Sequence, residues 1–282
     1  MVTMLAETHP GKVRDHNEDA YLCDPEKGLA LIADGMGGHA AGEVASEITV
    51  KTFTELNPGA DKLVATAMAS HQRIIAHAEA NPESRGMGSA LVVAEFDKNE
   101  VSICWVGDSR AYLFNQANGL SPLTRDHSYV QWFLTNGQIT EHQARIHPER
   151  NLVTQCLGVS PPQPELNRVS WRARDIVLLC SDGLTDEVDD ATIAAILHQS
   201  QPLEATARQL IEAALDRGGK DNITIVLARN DARLIPGIKS ESLRKLRPPT
   251  GSAKNRPWFH ILLGVGSAIL LAVLWMLFRL IF

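Results

Sequence analysis

The chain has 282 residues, 44% of them hydrophobic and 21% charged, with a net charge of −6. Those proportions belong to a globular protein and exclude a wholly disordered or fibrous chain, and the length allows one large domain or two small ones. Four dispersed cysteines (Cys23, Cys104, Cys156, Cys180) form no C-x-x-C pair, which excludes a disulfide framework and a cysteine-rich zinc site and fits a reducing compartment.

In chain order, the apolar run 28–33 predicts a buried strand that meets a loop at Asp34-Gly35. Val44, Ile48, Phe53 and Leu56 fall at helical spacing over 41–56, and Asn57-Pro58-Gly59 stops that helix. A second, Ala-rich helix is expected over about 61–80. Strand-like runs follow at 89–96, 101–106 and 110–114, separated by short polar loops, the pattern of an antiparallel meander. Residues 124–162 are more polar and irregular, with short helices expected near 128–136 and 140–147. Strands return at 166–171 and 175–180, helices at 189–199 and 203–216, and a closing strand at 223–228. The order of elements gives an α+β fold with helices packed outside antiparallel sheets.

The acids fall in an informative place. Asp34-Gly35, Asp108, Asp182-Gly183 and Asp221-Asn222 each stand where an apolar run begins or ends, and Glu18-Asp19 lie in a polar loop. One Asp at a strand end is usually a turn or cap residue. Several at separate strand ends can converge, and a buried carboxylate must be bonded, paired or metal-bound. Convergent carboxylates favour hard divalent cations such as magnesium or manganese, and two such ions can polarise a phosphoryl oxygen. Arg14 is a plausible bidentate clamp for a phosphate. Gly37-Gly38 and Gly42 have no G-K-[ST] beside them, so a nucleotide-binding loop is not indicated. Asp126-His127-Ser128 are adjacent in sequence and cannot easily aim at one another as a triad.

These segments also carry a resemblance. In order along the chain stand Arg14-Asp-His-Asn-Glu-Asp19, Asp34-Gly-Met-Gly-Gly-His39 with Gly42-Glu43, and Gly86-Met-Gly-Ser-Ala90. Gly107-Asp-Ser-Arg110, Leu123-Thr-Arg-Asp-His-Ser128, Ser181-Asp-Gly-Leu184 and Asp221-Asn222 follow. Together they resemble the bacterial branch of the metal-dependent Ser/Thr protein phosphatases of type 2C, over roughly residues 4–229.

The resemblance implies an α-β-β-α sandwich of two antiparallel sheets flanked by helices, and a cluster of two divalent cations, manganese or magnesium. By motif, Asp34 would bridge both ions and Gly35 would give a backbone carbonyl. Asp182 and Asp221 would complete one shell, Glu18 would act on the other, and Asp108 would serve a third, weaker site. Arg14 would hold the phosphate while a hydroxide between the ions attacks phosphorus in line, without a phosphoenzyme. Segment 124–162 would be a flap beside the site. Met36 stands where the family's eukaryotic members have a histidine, so His39 is the nearest candidate to protonate the leaving alkoxide; a metal-bound water is the other. Phosphoproteins and an opposing Ser/Thr kinase are the implied partners. A phosphatase of small phosphoesters and a non-catalytic phosphoprotein-binding scaffold are the alternatives.

Charge is divided along the chain. Residues 239–282 carry +6 and residues 1–238 carry −12. An acidic body gains little from a polyanion, so nucleic acid is not an expected partner. Residues 258–278 hold no formal charge, long enough for a helix to span a bilayer core of ~30 Å at ~1.5 Å per residue. Six Lys/Arg between 239 and 256 precede this run and only Arg279 follows, which by the positive-inside rule places the catalytic body in the cytoplasm. The expected organisation is a catalytic domain over 1–230, a basic flexible linker over 231–257 and a transmembrane helix over 258–278.

Overall fold

A computed structural model describes residues 1–37 and 41–231. The expected linker 231–257 beyond its first residue, the expected span 258–278 and His39 lie outside the described residues. Among the described residues, no helix is long and apolar enough to cross a membrane.

Among the described residues, ten strands form two five-stranded antiparallel sheets. The first sheet takes strands from both ends and the middle of the chain: β1 (Val2–His9), β6 (Arg110–Asn115), β7 (Gly119–Pro122), β9 (Ile176–Cys180) and β10 (Ile223–Asn230), in the order β1-β10-β9-β6-β7. The second holds β2 (Asp19–Asp24), β3 (Leu29–Met36), β4 (Gly88–Phe96), β5 (Glu100–Val106) and β8 (Glu165–Ser170), in the order β2-β3-β4-β5-β8. Strands β3 and β4 are buried along nearly their whole length. They read as continuous apolar runs because both of their faces are covered.

Three layers of core explain that covering. Between the sheets, Ile32, Val92, Ile103 and Trp105 pack against Val177, Leu179 and Val226. Outside the second sheet, α1 (Ala41–Leu56) and α2 (Leu63–Ala80) lay Ala45, Phe53, Ala67 and Ile74 on Leu31, Leu91 and Val93. Outside the first sheet, α5 (Asp182–Thr185), α6 (Asp190–His198) and α7 (Leu203–Asp216) cover Tyr112, Leu178, Ile223 and Ile225. Helix α7 buries Leu203, Thr206, Ala207, Leu210, Ile211 and Ala214, an i, i+3, i+4, i+7 stripe. The architecture is the four-layer sandwich expected.

The structure departs from the expected meander after β5. Strands β4 and β5 do pair, but β6 joins β9 and β7 in the other sheet. Gly107 makes that crossing with φ +104°, and a Cβ there would lie 2.5 Å from the Cβ of Ala90. Strands β1, β2 and β7 and the single turn α5 were not legible as elements, since each is short or mixed in polarity. Helices α3 (Tyr129–Thr135) and α4 (Glu141–Arg145) fall in the irregular segment, as expected.

Candidate active site

Both sheets deliver acids to a common edge. Strand β3 does not end at Asp34 but continues to Met36, and it sets Asp34 opposite Asp19 of β2. Asp108 lies in the turn from β5 to β6, Asp182 opens α5 directly beyond β9, and Asp221 immediately precedes β10. Burial pushes the Asp34 carboxyl well above its ordinary value, and the negative fields of Asp19, Asp182, Asp108 and Asp221 add to this. Asp182 is raised in the same way, by desolvation and then by Asp108, Asp186, Asp221 and Asp19. Desolvation carries Asp108 to about 7 and Asp19 to about 6. The expected residues Asp34, Asp108, Asp182 and Asp221 are thus within one another's fields.

A second set of contacts builds the loop that carries Arg14 and Glu18. Asn222 donates from Nδ2 to the carbonyls of Pro10 and His16, both at 2.9 Å, and its Oδ1 accepts from the Glu18 amide at 2.8 Å. Arg14 Nη2 donates to Asp221 Oδ2 at 2.7 Å, in a half-exposed ion pair. Glu18 lies against α1, where a Cβ on Gly42 would come within 2.7 Å of its carboxylate. The Gly35 amide donates to the Glu18 carbonyl at 3.2 Å, which ties this loop to β3. Burial raises the Glu18 carboxyl and the Arg14 charge opposes the shift.

Ser181 joins the halves of the site. Its hydroxyl donates to Asp19 Oδ2 at 2.9 Å and accepts from the Thr224 amide at 3.0 Å. The other Asp19 oxygen, Oδ1, is buried without a hydrogen-bond partner among the described residues. Asp19 therefore both orients its neighbours and keeps a free acceptor at the carboxylate cluster. The sequence signal for Ser181 and Asn222 was only their adjacency to Asp182 and Asp221.

The adjacent residues Asp126, His127 and Ser128 serve three separate purposes. Asp126 takes a two-pronged pair of hydrogen bonds from Arg110, at 2.8 and 2.6 Å. His127 faces Gly107 and Glu165, and Ser128 caps the start of α3 by accepting from the Gln131 amide. Segment 124–162 then forms one wall of a cleft of about 1110 Å³. Val130, Leu134, Arg145 and Arg150 stand on that wall, Arg150 3.6 Å from Asp186, and Asp108 and Asp182 line the same cleft.

The geometry agrees with what three comparisons find. A family model described as protein phosphatase 2C matches residues 11–226. The chain belongs to the protein phosphatase 2C family.

Among curated relatives of this phosphatase 2C chain, the serine/threonine protein phosphatase PstP of Mycobacterium tuberculosis is 40% identical over 229 residues. That match covers 79% of this chain and 44% of PstP, so the chain spans less than half of that relative's length. The serine/threonine phosphatase stp of Listeria monocytogenes is 35% identical over 238 residues, covering 79% of this chain and 94% of stp. The solved catalytic domain of PstP in complex with two manganese ions is 37% identical, with a TM-score of 0.74 over 81% of this chain and 97% of that one.

The donor set of this phosphatase 2C site fits divalent cations. Its ligand atoms are carboxylate and carbonyl oxygens, the choice of hard ions. Mutual repulsion among Asp34, Asp108 and Asp182 and the unpartnered Asp19 Oδ1 are what added positive charge would relieve. Among the described residues, no three Asp, Glu, His or Cys side chains close on one point as a ready cage. Backbone carbonyls such as that of Gly35, and water, would complete the shells, the habit of magnesium and of ions like it.

Proposed function

We propose that the chain hydrolyses phosphoserine and phosphothreonine on proteins in a cation-dependent reaction, opposing a Ser/Thr protein kinase at a membrane. The observation that carries the reading is the meeting of Asp34, Asp108, Asp182 and Asp221 at one edge, with Arg14 bonded to the last of them. Asp34, Gly35, Asp182, Asp221 and Glu18 would hold two cations, manganese or magnesium, and Asp108 a third, weaker one. When bound, these ions supply Lewis-acid polarisation of a phosphoryl oxygen and activation of the attacking water.

The protein's own groups do the rest. Arg14 binds the phosphate through the planar guanidinium that already reaches Asp221, and stabilises charge gathering on the equatorial oxygens. Asn222 holds the Glu18 backbone, Gly42 leaves room for the Glu18 carboxylate, and Ser181 fixes Asp19. His39, which lies outside the described residues, is the candidate to donate a proton to the departing Ser/Thr oxygen, with a water held by the cations as the alternative. The wall of the cleft carrying Val130, Leu134, Arg145 and Arg150 meets the polypeptide around the phosphorylated residue. A cysteinyl-phosphate route is disfavoured, because burial raises all four thiols, Cys104 and Cys180 to about 12. Residues 258–278 anchor the chain as a single span with the catalytic domain in the cytoplasm, and the basic residues 239–256 face the same side.

The test is phosphate release from a phosphothreonine peptide by the full chain, with manganese or with EDTA, beside Asp182→Asn. Release with manganese that is lost with EDTA and in the variant supports the reading. Peptide binding without release under any divalent ion points to a scaffold, and faster turnover of a small phosphoester points to the other substrate class. Flotation with vesicles, lost when 258–278 are deleted, tests the anchor.

A further inference from the structure

His127 is a group that the proposed chemistry leaves unused, and both of its ring nitrogens are engaged between the cluster and the flap. It is 6% exposed. Its Nδ1 accepts from the Gly107 amide at 3.2 Å, and its own amide donates to the Gly107 carbonyl at 2.8 Å. An Nδ1 that accepts leaves the proton on Nε2, which stands 3.0 Å from Glu165 Oε1 on β8. The ring lies stacked near Trp105, centroids 6.2 Å apart, and the indole Nε1 donates to the Arg125 carbonyl at 2.9 Å. The His127 carbonyl in turn accepts from the Thr154 amide at 2.7 Å, closing the base of segment 124–162 on itself.

These bonds have one geometric consequence. Gly107 is the residue before Asp108, and its φ of +104° leaves the turn dependent on outside partners for its direction. The imidazole is the side chain that holds the Gly107 amide, and the same residue lies at the base of the flap. We propose that His127 is a positioning residue for Asp108: a neutral imidazole that makes the Asp108 turn, the flap base and β8 move as one piece. Substrate contacts on the flap are thereby coupled to the placement of Asp108. The inference rests on the reading that Asp108 faces a bound cation. It assigns His127 no contact with substrate.

The experiment uses the full chain in detergent and compares the wild type with His127→Ala, His127→Asn, Glu165→Ala and Asp108→Asn. Manganese binding is followed by calorimetry without substrate, the manganese concentration for half-maximal phosphopeptide hydrolysis is measured, and melting temperature is recorded alongside. His127→Ala is expected to weaken the weaker manganese-binding phase by about tenfold, the low end for groups that orient a ligand from behind. Asp108→Asn is expected to affect the same phase. His127→Asn keeps an acceptor oxygen near the Nδ1 position and should recover binding to within about twofold, even if its melting temperature stays with the alanine variant. Glu165→Ala, at an exposed carboxylate, should weaken the same phase without loss of fold. If Asp108→Asn weakens manganese binding while folded His127→Ala and Glu165→Ala bind as the wild type does, the His127 role is wrong and the Asp108 reading stands. If Asp108→Asn itself binds as the wild type does, the Asp108 reading fails and the inference with it. Equal behaviour of the alanine and asparagine variants reduces His127 to packing and also overturns the proposal.

Discussion

Asn222 holds the Glu18 amide at 2.8 Å across 204 residues of sequence. The same carboxamide donates to the Pro10 and His16 carbonyls, so one buried side chain satisfies three backbone groups of an otherwise exposed loop. A loop with no strand or helix of its own must find such partners elsewhere. Here the partner is the neighbour of a cluster acid, so building the loop and building the site are the same event.

Replacement of Asn222 by Ala removes those three bonds and strands a buried amide. At about 1 kcal/mol net for each bond, and more for a donor left unsatisfied, a loss of about 3 kcal/mol in unfolding free energy is expected. Because Glu18 and Arg14 ride on the loop, activity should fall by more than about tenfold even in the fraction that stays folded. Denaturant titration and phosphopeptide turnover at saturating manganese check the two parts separately.

The cluster also makes a statement about pH. Asp19 and Asp108 lie at about 6 and about 7 in the folded chain, and Asp34 and Asp182 are raised as well. An unfolded Asp titrates near 3.9, so between roughly pH 4 and 7 these four acids bind more protons folded than unfolded, and the cluster's contribution to stability falls as pH rises. The lowered His71, Asp24, Asp189 and Asp231 oppose it in part. In EDTA the melting temperature is therefore expected to drop from pH 5 to pH 8. Manganese should recover most of that loss at the upper end, since it binds the ionised native cluster. A melting temperature that climbs over this range in EDTA would contradict the electrostatic account.

How much of this was legible depended on which force set each element. Helix α7 was readable because burial wrote a 3.6-residue stripe into it. Helix α1 was found in extent, but of Val44, Ile48, Phe53 and Leu56 only Phe53 is buried, and its inward face is mostly the small residues Ala41, Ala45, Ser46 and Thr49. Strands β3, β4 and β9 were readable as dense apolar runs. Strand β2, DAYLCD, is half-buried with acids at both ends, and nothing local distinguishes it from loop. The crossing of β6 into the other sheet was invisible, because pairing partners are chosen across the whole chain. In the site, Asp34, Asp108, Asp182 and Asp221 were visible as acids at the ends of apolar runs. Asn222 and Ser181 were not visible as organisers, since their work lies in backbone bonds to residues far away in sequence.

Arg14 offers a test that separates substrate binding from the cluster. Its bond to Asp221 raises the guanidinium's affinity for its proton, and desolvation is too slight to reverse that. Arg14→Lys keeps the charge but loses the planar two-pronged grip on a phosphate. The lysine variant should raise KM for a phosphothreonine peptide about tenfold, and Arg14→Ala should lower kcat/KM by about a hundredfold or more, in keeping with the loss of a charge-assisted contact. Manganese affinity measured without substrate should remain within about twofold of the wild type in both. A large loss of manganese binding in Arg14→Lys would instead make Arg14 a structural partner of Asp221.

Gly183 pits helix propensity against packing, and the distances decide the outcome. Alanine in place of glycine inside a helix gains about 1 kcal/mol, and Gly183 is the second residue of α5. A Cβ there, however, would lie 2.0 Å from the Asn222 carbonyl oxygen, a backbone atom that cannot swing aside. That contact is far inside van der Waals range, so Gly183→Ala must displace α5 from the start of β10. Asp182 and Asp221 lie on the two displaced segments. Melting temperature should fall despite the better helix former, and manganese binding should weaken with it. Gly59→Ala is the matching control, because its φ of −80° suits alanine and nothing lies within 4 Å of the added carbon. That control should be neutral or slightly stabilising, by up to about 1 kcal/mol through the unfolded state. Equal behaviour of the two variants in melting and manganese titration would mean that the close approach of α5 to Asn222 does not shape the site.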